Sequence, residues 1–152
     1  MIIILLSILL GLILTQMFLP FGYVAPEWLL LINVYWAIAL PTNKKLILAF
    51  ISGYFVDILY GQVLGLTSLT YVIFIYIILR LYNSLRYMTV TQQMVVISFF
   101  ILIKQHFFVW SNSVIGINSE YFDLMISTFI SGILWLPTYY ILRYIRRRFQ
   151  IS

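Results

Sequence analysis

Long apolar segments separated by short polar connections are the feature that most restricts how this chain folds. Six of them occupy most of the sequence: 2–19, 24–40, 46–60, 63–81, 94–110 and 122–142. A helix needs about 20 residues to cross a hydrocarbon core of about 30 Å. Only 9% of the residues are charged, too few to cover the surface of a soluble domain. The sequence therefore predicts an all-α integral membrane protein, a single domain over 1–152 with six transmembrane helices.

Two of these segments have features that are unusual for a membrane span, and each is compatible with a transmembrane helix. The third is short, but Lys44 and Lys45 precede it and can extend towards the interface. The second has Pro26 and Glu27 in its expected first turn. A helix tolerates proline there, and its positive dipole end favours a carboxylate. The first segment, 2–19, lacks a basic start and a cleavage site, so we interpret it as a retained span.

The distribution of basic residues predicts the orientation in the membrane. With six spans, every Lys and Arg except Lys104 falls on one side: Lys44, Lys45, Arg80, Arg86, Arg143, Arg146, Arg147 and Arg148. Connections on the cytoplasmic side carry the excess of basic residues in membrane proteins. Both termini are therefore predicted to be cytoplasmic.

The arginines at the end of the chain have two interpretations. Arg143, Arg146, Arg147 and Arg148 could simply anchor the last span on the cytoplasmic side, which is the favoured interpretation. They could also bind anionic membrane lipid or an acidic cytoplasmic partner. The basic residues lie between or beside apolar segments rather than along one face, so the net charge of +5 does not indicate nucleic-acid binding.

Asp57 and Lys104 are the acidic and basic residues placed deep inside predicted spans. Intramembrane charges are costly and mark candidate functional sites. Counted from the cytoplasmic end of their segments, both lie at about 15 Å depth, at 1.5 Å per helical residue. One hypothesis is that they pair inside the bundle, each removing the desolvation cost of the other. The alternative is that each faces water separately.

Other polar residues give weaker indications of chemistry. His106 is the single histidine and cysteine is absent, so no metal site, cofactor or catalytic set is predicted. Gly53, Gly61 and Gly65 surround Asp57. The spacing of Gly61 and Gly65 matches that of close helix pairs, but a turn combined with close packing is favoured over a dimer face.

Aromatic residues near segment ends are typical of the membrane interface. Tyr35 and Trp36 are among them, close to the end of the second segment. This pattern predicts that both rings lie at the level of the lipid head groups.

The order of motifs along the chain resembles the MreD family of rod-shape proteins. In the N-terminal half they are Pro26-Glu27-Trp28, Tyr35-Trp36, Leu40-Pro41, Gly53, Asp57, Gly61 and Leu64-Gly65. In the C-terminal half they are Gln92-Gln93, Gly132-Ile133-Leu134-Trp135, Leu142-Arg143 and Arg146 to Phe149. The resemblance covers nearly the whole chain and makes Tyr35, Trp36 and Pro41 further candidate residues.

The resemblance implies a non-enzymatic scaffold in the bacterial inner membrane that helps organise lateral peptidoglycan synthesis. Its implied partners are MreC, MreB, and RodA with its penicillin-binding transpeptidase. The implied fold is similar to the six-helix substrate-binding subunits of vitamin transporters. An alternative from another class is a small-molecule binding or transport subunit with Asp57, Lys104 and His106 in an intramembrane cavity.

Overall fold

The computed structural model describes residues 2–17, 24–61, 63–115 and 121–150. These residues form six α-helices: α1 (Ile2–Met17), α2 (Trp28–Ala39), α3 (Lys44–Tyr60), α4 (Leu66–Tyr87), α5 (Val90–Ile115) and α6 (Tyr121–Arg148). The most extensive packing is between α3 and α4 and between α5 and α6. Each of these pairs is consecutive in the chain and joined by a short connection, as expected for antiparallel neighbours.

Helix α2 is the centre of the bundle. It packs against α1, α3, α4 and α6, and its residues from Leu29 to Ile38 are all buried. A helix that is apolar on every side is stable only when it is surrounded. Two side-chain hydrogen bonds tie it to its neighbours: Trp36 Nε1 donates to Ser7 Oγ at 2.7 Å, and Asn33 Nδ2 donates to Ser52 Oγ at 2.9 Å. Small polar residues at close helix contacts are typical of membrane bundles.

The outer surface of the bundle is apolar. Leu5, Leu6, Leu9, Leu10 and Ile13 of α1 are all exposed, and similar rows run along the other outer helices. Three helical stretches are long and apolar enough to cross a membrane: Leu66–Tyr87, Val90–Ser111 and Phe122–Arg148. The apolar helices α1 and α2 are shorter. Lipid is the solvent that accepts such a surface, and the chain is an all-α membrane protein.

Several helices extend beyond the predicted apolar segments. Helix α4 ends at Tyr87 instead of Leu81, and α6 ends at Arg148 instead of Leu142. Helix α5 adds residues at both ends. The extra turns contain polar and basic residues. Because hydropathy detects only the apolar part of a helix, it misses turns that continue into the membrane interface. Where the membrane boundaries cross these helices stays a prediction.

The start of α2 differs from the sequence prediction. The helix begins at Trp28, so Pro26 and Glu27 precede it instead of forming its first turn. Glu27 is the N-cap residue, but its side chain makes no capping hydrogen bond. Its carboxylate instead contacts side chains of α4 and α5, and hydrogen bonds with α6 position the backbone before α2.

Tyr35 and Trp36 do not face the lipid head groups, and their depth in the membrane stays a prediction. Trp36 is 1% exposed and Tyr35 is 3% exposed. Their rings meet edge to face at 5.4 Å, and Tyr35 also contacts the ring of Tyr139 at 5.7 Å. Because α2 is enclosed by four other helices, its aromatic side chains form part of the protein core.

Candidate functional site

A buried ion pair lies near the start of α2. Lys104 Nζ of α5 contacts Glu27 Oε1. The two side chains are only 7% and 15% exposed. Tyr71 of α4 completes the cluster: its hydroxyl donates to Glu27 Oε2 at 3.1 Å, and Lys104 Nζ lies 5.3 Å from the centre of its ring. A buried charge pair persists when further hydrogen bonds and packing satisfy both members, as they do here.

Two serines of α6 hold the backbone that carries Glu27. Ser127 Oγ donates to the Ala25 carbonyl oxygen at 2.7 Å, and the Glu27 backbone N–H donates to Ser131 Oγ at 3.0 Å. The Glu27 carbonyl oxygen accepts from the Leu31 backbone N–H at 3.0 Å, as in a helix. The Ala25 carbonyl and the Glu27 N–H lie outside the helix, and in a membrane bundle such polar groups need protein partners. The two serine bonds fix Glu27 between α4, α5 and α6.

A small cavity of about 50 Å³ adjoins the ion pair. Its polar lining includes Glu27, Lys104, Gln105, Tyr60 and Thr67. Sites for organic ligands usually measure about 300–1,000 Å³, so this cavity is too small for one and has room for no more than a few waters. The geometry supports a polar cluster that is satisfied within the bundle.

Asp57 caps the start of α4. Its side chain is completely buried and accepts hydrogen bonds from the backbone N–H groups of Gly65, at 2.9 Å, and Thr67, at 3.0 Å. Ser68 Oγ lies 3.5 Å from the same carboxylate. The first N–H groups of a helix lack helical acceptors and carry partial positive charge. A carboxylate from α3 therefore satisfies the start of α4 across the turn between them.

The hypothesis that Asp57 pairs with Lys104 is wrong. The carboxylate that contacts Lys104 belongs to Glu27, and Asp57 bonds to the start of α4. Their depths were counted from the cytoplasmic ends of the two segments, but α3 ends three residues after Asp57 whereas α5 continues to Ile115. The N-terminus of α4 is folded back directly over Asp57, and it supplies the positive partner.

The glycines around Asp57 shape this turn. Gly61 ends α3 with φ of 60° and Gly65 precedes α4 with φ of 97°, conformations that residues with a Cβ rarely adopt. Gly53 has a different role, because a Cβ there would lie 2.6 Å from Ser68 Cα. The backbones of α3 and α4 are thus in contact at Gly53, which brings Asp57 within reach of the N–H groups that it caps.

The remaining candidate residues lie away from the ion pair. His106 is on an exposed face of α5, beside a separate small recess that it shares with Leu102 and Met125. Pro41 is exposed in the connection between α2 and α3. Arg148 is exposed at the end of α6. The structure therefore does not place Asp57, Lys104 and His106 around one cavity.

Four other candidates come together at the opposite end of α2. Tyr35, Arg143, Arg146 and Arg147 line a second cavity. Sequence reasoning treated the arginines and Tyr35 separately because α2 and the end of α6 are far apart in the chain. It also missed Tyr71 and the partner of Lys104. A signal for that partner was present in Glu27, which begins a span with no basic residue beside it.

The chain matches one family model over most of its length. The model for the rod shape-determining protein MreD covers residues 1–145. The rod shape-determining protein MreD of Haemophilus influenzae is 28% identical over 137 residues, which is 87% of this chain and 83% of that protein. No solved structure matches. On the match over residues 1–145, this chain belongs to the MreD family of rod shape-determining membrane proteins.

Proposed function

We propose that the protein is a non-enzymatic scaffold of the complex that builds the lateral cell wall in rod-shaped bacteria. The observation that carries this proposal is the family match over residues 1–145. The proposed partners are the single-span protein MreC, the actin-like MreB, and RodA with its penicillin-binding transpeptidase. Helix packing within the bilayer is the proposed mode of contact with the single span of MreC.

The buried polar clusters support a structural role for the charged residues. Glu27 and Lys104 form an ion pair, and the Asp57 carboxylate accepts hydrogen bonds from backbone N–H groups at the start of α4. Satisfied polar networks stiffen the core around them, and a stiff core holds the outer helix faces in place for partner helices. The alternative function, a small-molecule binding or transport subunit, would need a cavity larger than the one beside Lys104.

Loss of the gene is expected to convert rods into spheres, because a scaffold of lateral wall synthesis is required for elongation. Cell width and length measured by microscopy after depletion check this, with re-expression of the same chain as the control. The purified chain by itself is expected to leave lipid-linked wall precursors unchanged. Polymerisation or hydrolysis of those precursors by the purified protein would contradict the scaffold proposal.

A tagged copy in native membranes tests the proposed partners. Affinity purification in mild detergent, followed by identification of copurifying proteins, is expected to recover a single-span partner and wall-synthesis enzymes. Recovery of a pair of ATPase subunits instead would favour the transport alternative.

Both termini are proposed to lie in the cytoplasm, with six crossings. The second cavity supports this arrangement, because it brings Ala39, Arg86 and Arg143, near the ends of α2, α4 and α6, to one end of the bundle. Reporter fusions after Lys45, Tyr87 and Ser152 are expected to be active only in the cytoplasm. Fusions after Tyr23 and Asn118 are expected to be active only outside. A periplasmic signal at Ser152 would overturn the orientation.

A further inference from the structure

The second cavity lies where α2, α4 and α6 end and α5 begins. It measures about 240 Å³, several times the share of about 30 Å³ that one water occupies in the liquid. Its walls are unusually basic for a chain with so few charges. Its lining includes four arginines, Arg86, Arg143, Arg146 and Arg147, together with Gln93 and Trp135.

No carboxylate balances these arginines within the described part of the cavity wall. The chain has four acidic residues. Glu27 and Asp57 are bonded in clusters at the other end of α2 and α3, and Asp123 lies in the first turn of α6, far from its arginines. Glu120 precedes that turn in the sequence. Four guanidinium groups around one cavity without a counter-charge repel one another, and an anion would remove that cost.

Two of the arginines have neutral partners that orient them. Arg146 Nη1 donates to the Ala39 carbonyl oxygen, at 3.3 Å, which satisfies the end of α2. The Arg143 guanidinium lies 5.8 Å from the centre of the Tyr139 ring. Each contact leaves most of the five donors of a guanidinium available for a ligand.

The indole N–H of Trp135 is an unsatisfied hydrogen-bond donor in the cavity wall, and it also favours a ligand with oxygen acceptors. Trp135 is fully buried, and its indole N–H has no acceptor among the residues that the structure describes. A buried donor left without an acceptor costs free energy, so a ligand oxygen is a natural partner. Gln93 lies in the same wall, and its Nε2 donates to the Leu85 carbonyl oxygen at 2.8 Å. Its Oε1 has no donor among the described residues, so the ligand has to offer a hydroxyl, such as a P–OH or a glycerol O–H, to this acceptor.

We propose that this cavity binds the phosphate group of an anionic ligand. Arginine forks match phosphate oxygens, and the walls offer hydroxyl and indole donors in addition. The phosphate could belong to a lipid head group, because basic pockets between helices at the cytoplasmic interface suit such groups, or to a soluble phosphate compound. The site is independent of the scaffold proposal, since it rests on the cavity and its charges.

Purified full-length protein in neutral detergent provides the test. Its thermal midpoint and tryptophan fluorescence are followed during titration with dioctanoyl-phosphatidylglycerol, with inorganic phosphate, and with dioctanoylglycerol, which lacks phosphate. We expect a saturable shift with the phosphatidylglycerol or the phosphate and none with dioctanoylglycerol. A response to the phospholipid alone identifies a lipid head group, whereas a response to inorganic phosphate identifies a soluble ligand.

Matched variants separate this cavity from general attraction to a basic protein. Arg143→Gln with Arg147→Gln is expected to weaken binding at least about tenfold, since charge-assisted hydrogen bonds are lost. Arg80→Gln with Arg148→Gln removes the same charge outside the cavity and is expected to change affinity less than about twofold. If the first variant does not fold, Arg147→Gln alone replaces it, because Arg147 is exposed. Equal weakening in both double variants, or no saturable response in the parent protein, would overturn the proposal.

Discussion

Lys104→Met is expected to destabilise the protein by about 3–5 kcal/mol, the usual cost of leaving one member of a buried ion pair without its partner. Glu27 would keep the hydrogen bond from the Tyr71 hydroxyl but lose its positive partner. The free energy of unfolding measured by titration with sodium dodecyl sulfate checks this, together with the abundance of the variant in membranes. Rod-shape rescue by the variant is expected to decline in parallel.

The double variant Glu27→Gln with Lys104→Met separates loss of the pair from loss of packing. It leaves no uncompensated charge, so its stability is expected to lie closer to the parent than that of Lys104→Met alone. Lys44→Met is the matched control, because Lys44 is exposed at the start of α3. The single variant Glu27→Gln completes the cycle. If the losses of stability from Glu27→Gln and from Lys104→Met simply add in the double variant, Glu27 and Lys104 are not coupled, and this contradicts the ion pair.

Asp57→Ala is expected to cost about 1–3 kcal/mol for each of the two backbone N–H groups that lose their acceptor. These groups belong to Gly65 and Thr67 at the start of α4. Asp57→Asn retains one acceptor oxygen, so its loss is expected to be smaller. Unfolding in sodium dodecyl sulfate measures all of these changes on one scale.

Asp123→Ala is the control for Asp57→Ala. Asp123 lies in the first turn of α6, and its removal forfeits only a favourable dipole interaction of about 0.3–1 kcal/mol. If Asp57→Ala is no more destabilising than Asp123→Ala, the capping role is refuted. Normal stability of Asp57→Ala combined with failed rod-shape rescue would then indicate a role for Asp57 in function rather than in folding.

Much of the local structure of the site follows from the sequence around Asp57. Gly61 and Gly65 indicate a turn, and the structure places them in one, both with positive φ. A carboxylate four residues before such a turn can reach the start of the next helix. Equal depth of Asp57 and Lys104 suggested that they could pair, but depth along a helix does not report which groups the neighbouring helix places beside a residue.

Sequence patterns alone predicted the class of this protein, the approximate positions of its helices and its resemblance to the MreD family. Hydropathy and turn residues act locally, so they can be interpreted segment by segment. The packing of the helices was needed to show that α2 is enclosed, that Glu27 is the partner of Lys104, and that Tyr35 lies beside the arginines of α6. These contacts join residues far apart in the chain, because each buried charge and donor is satisfied by whichever helix packs beside it.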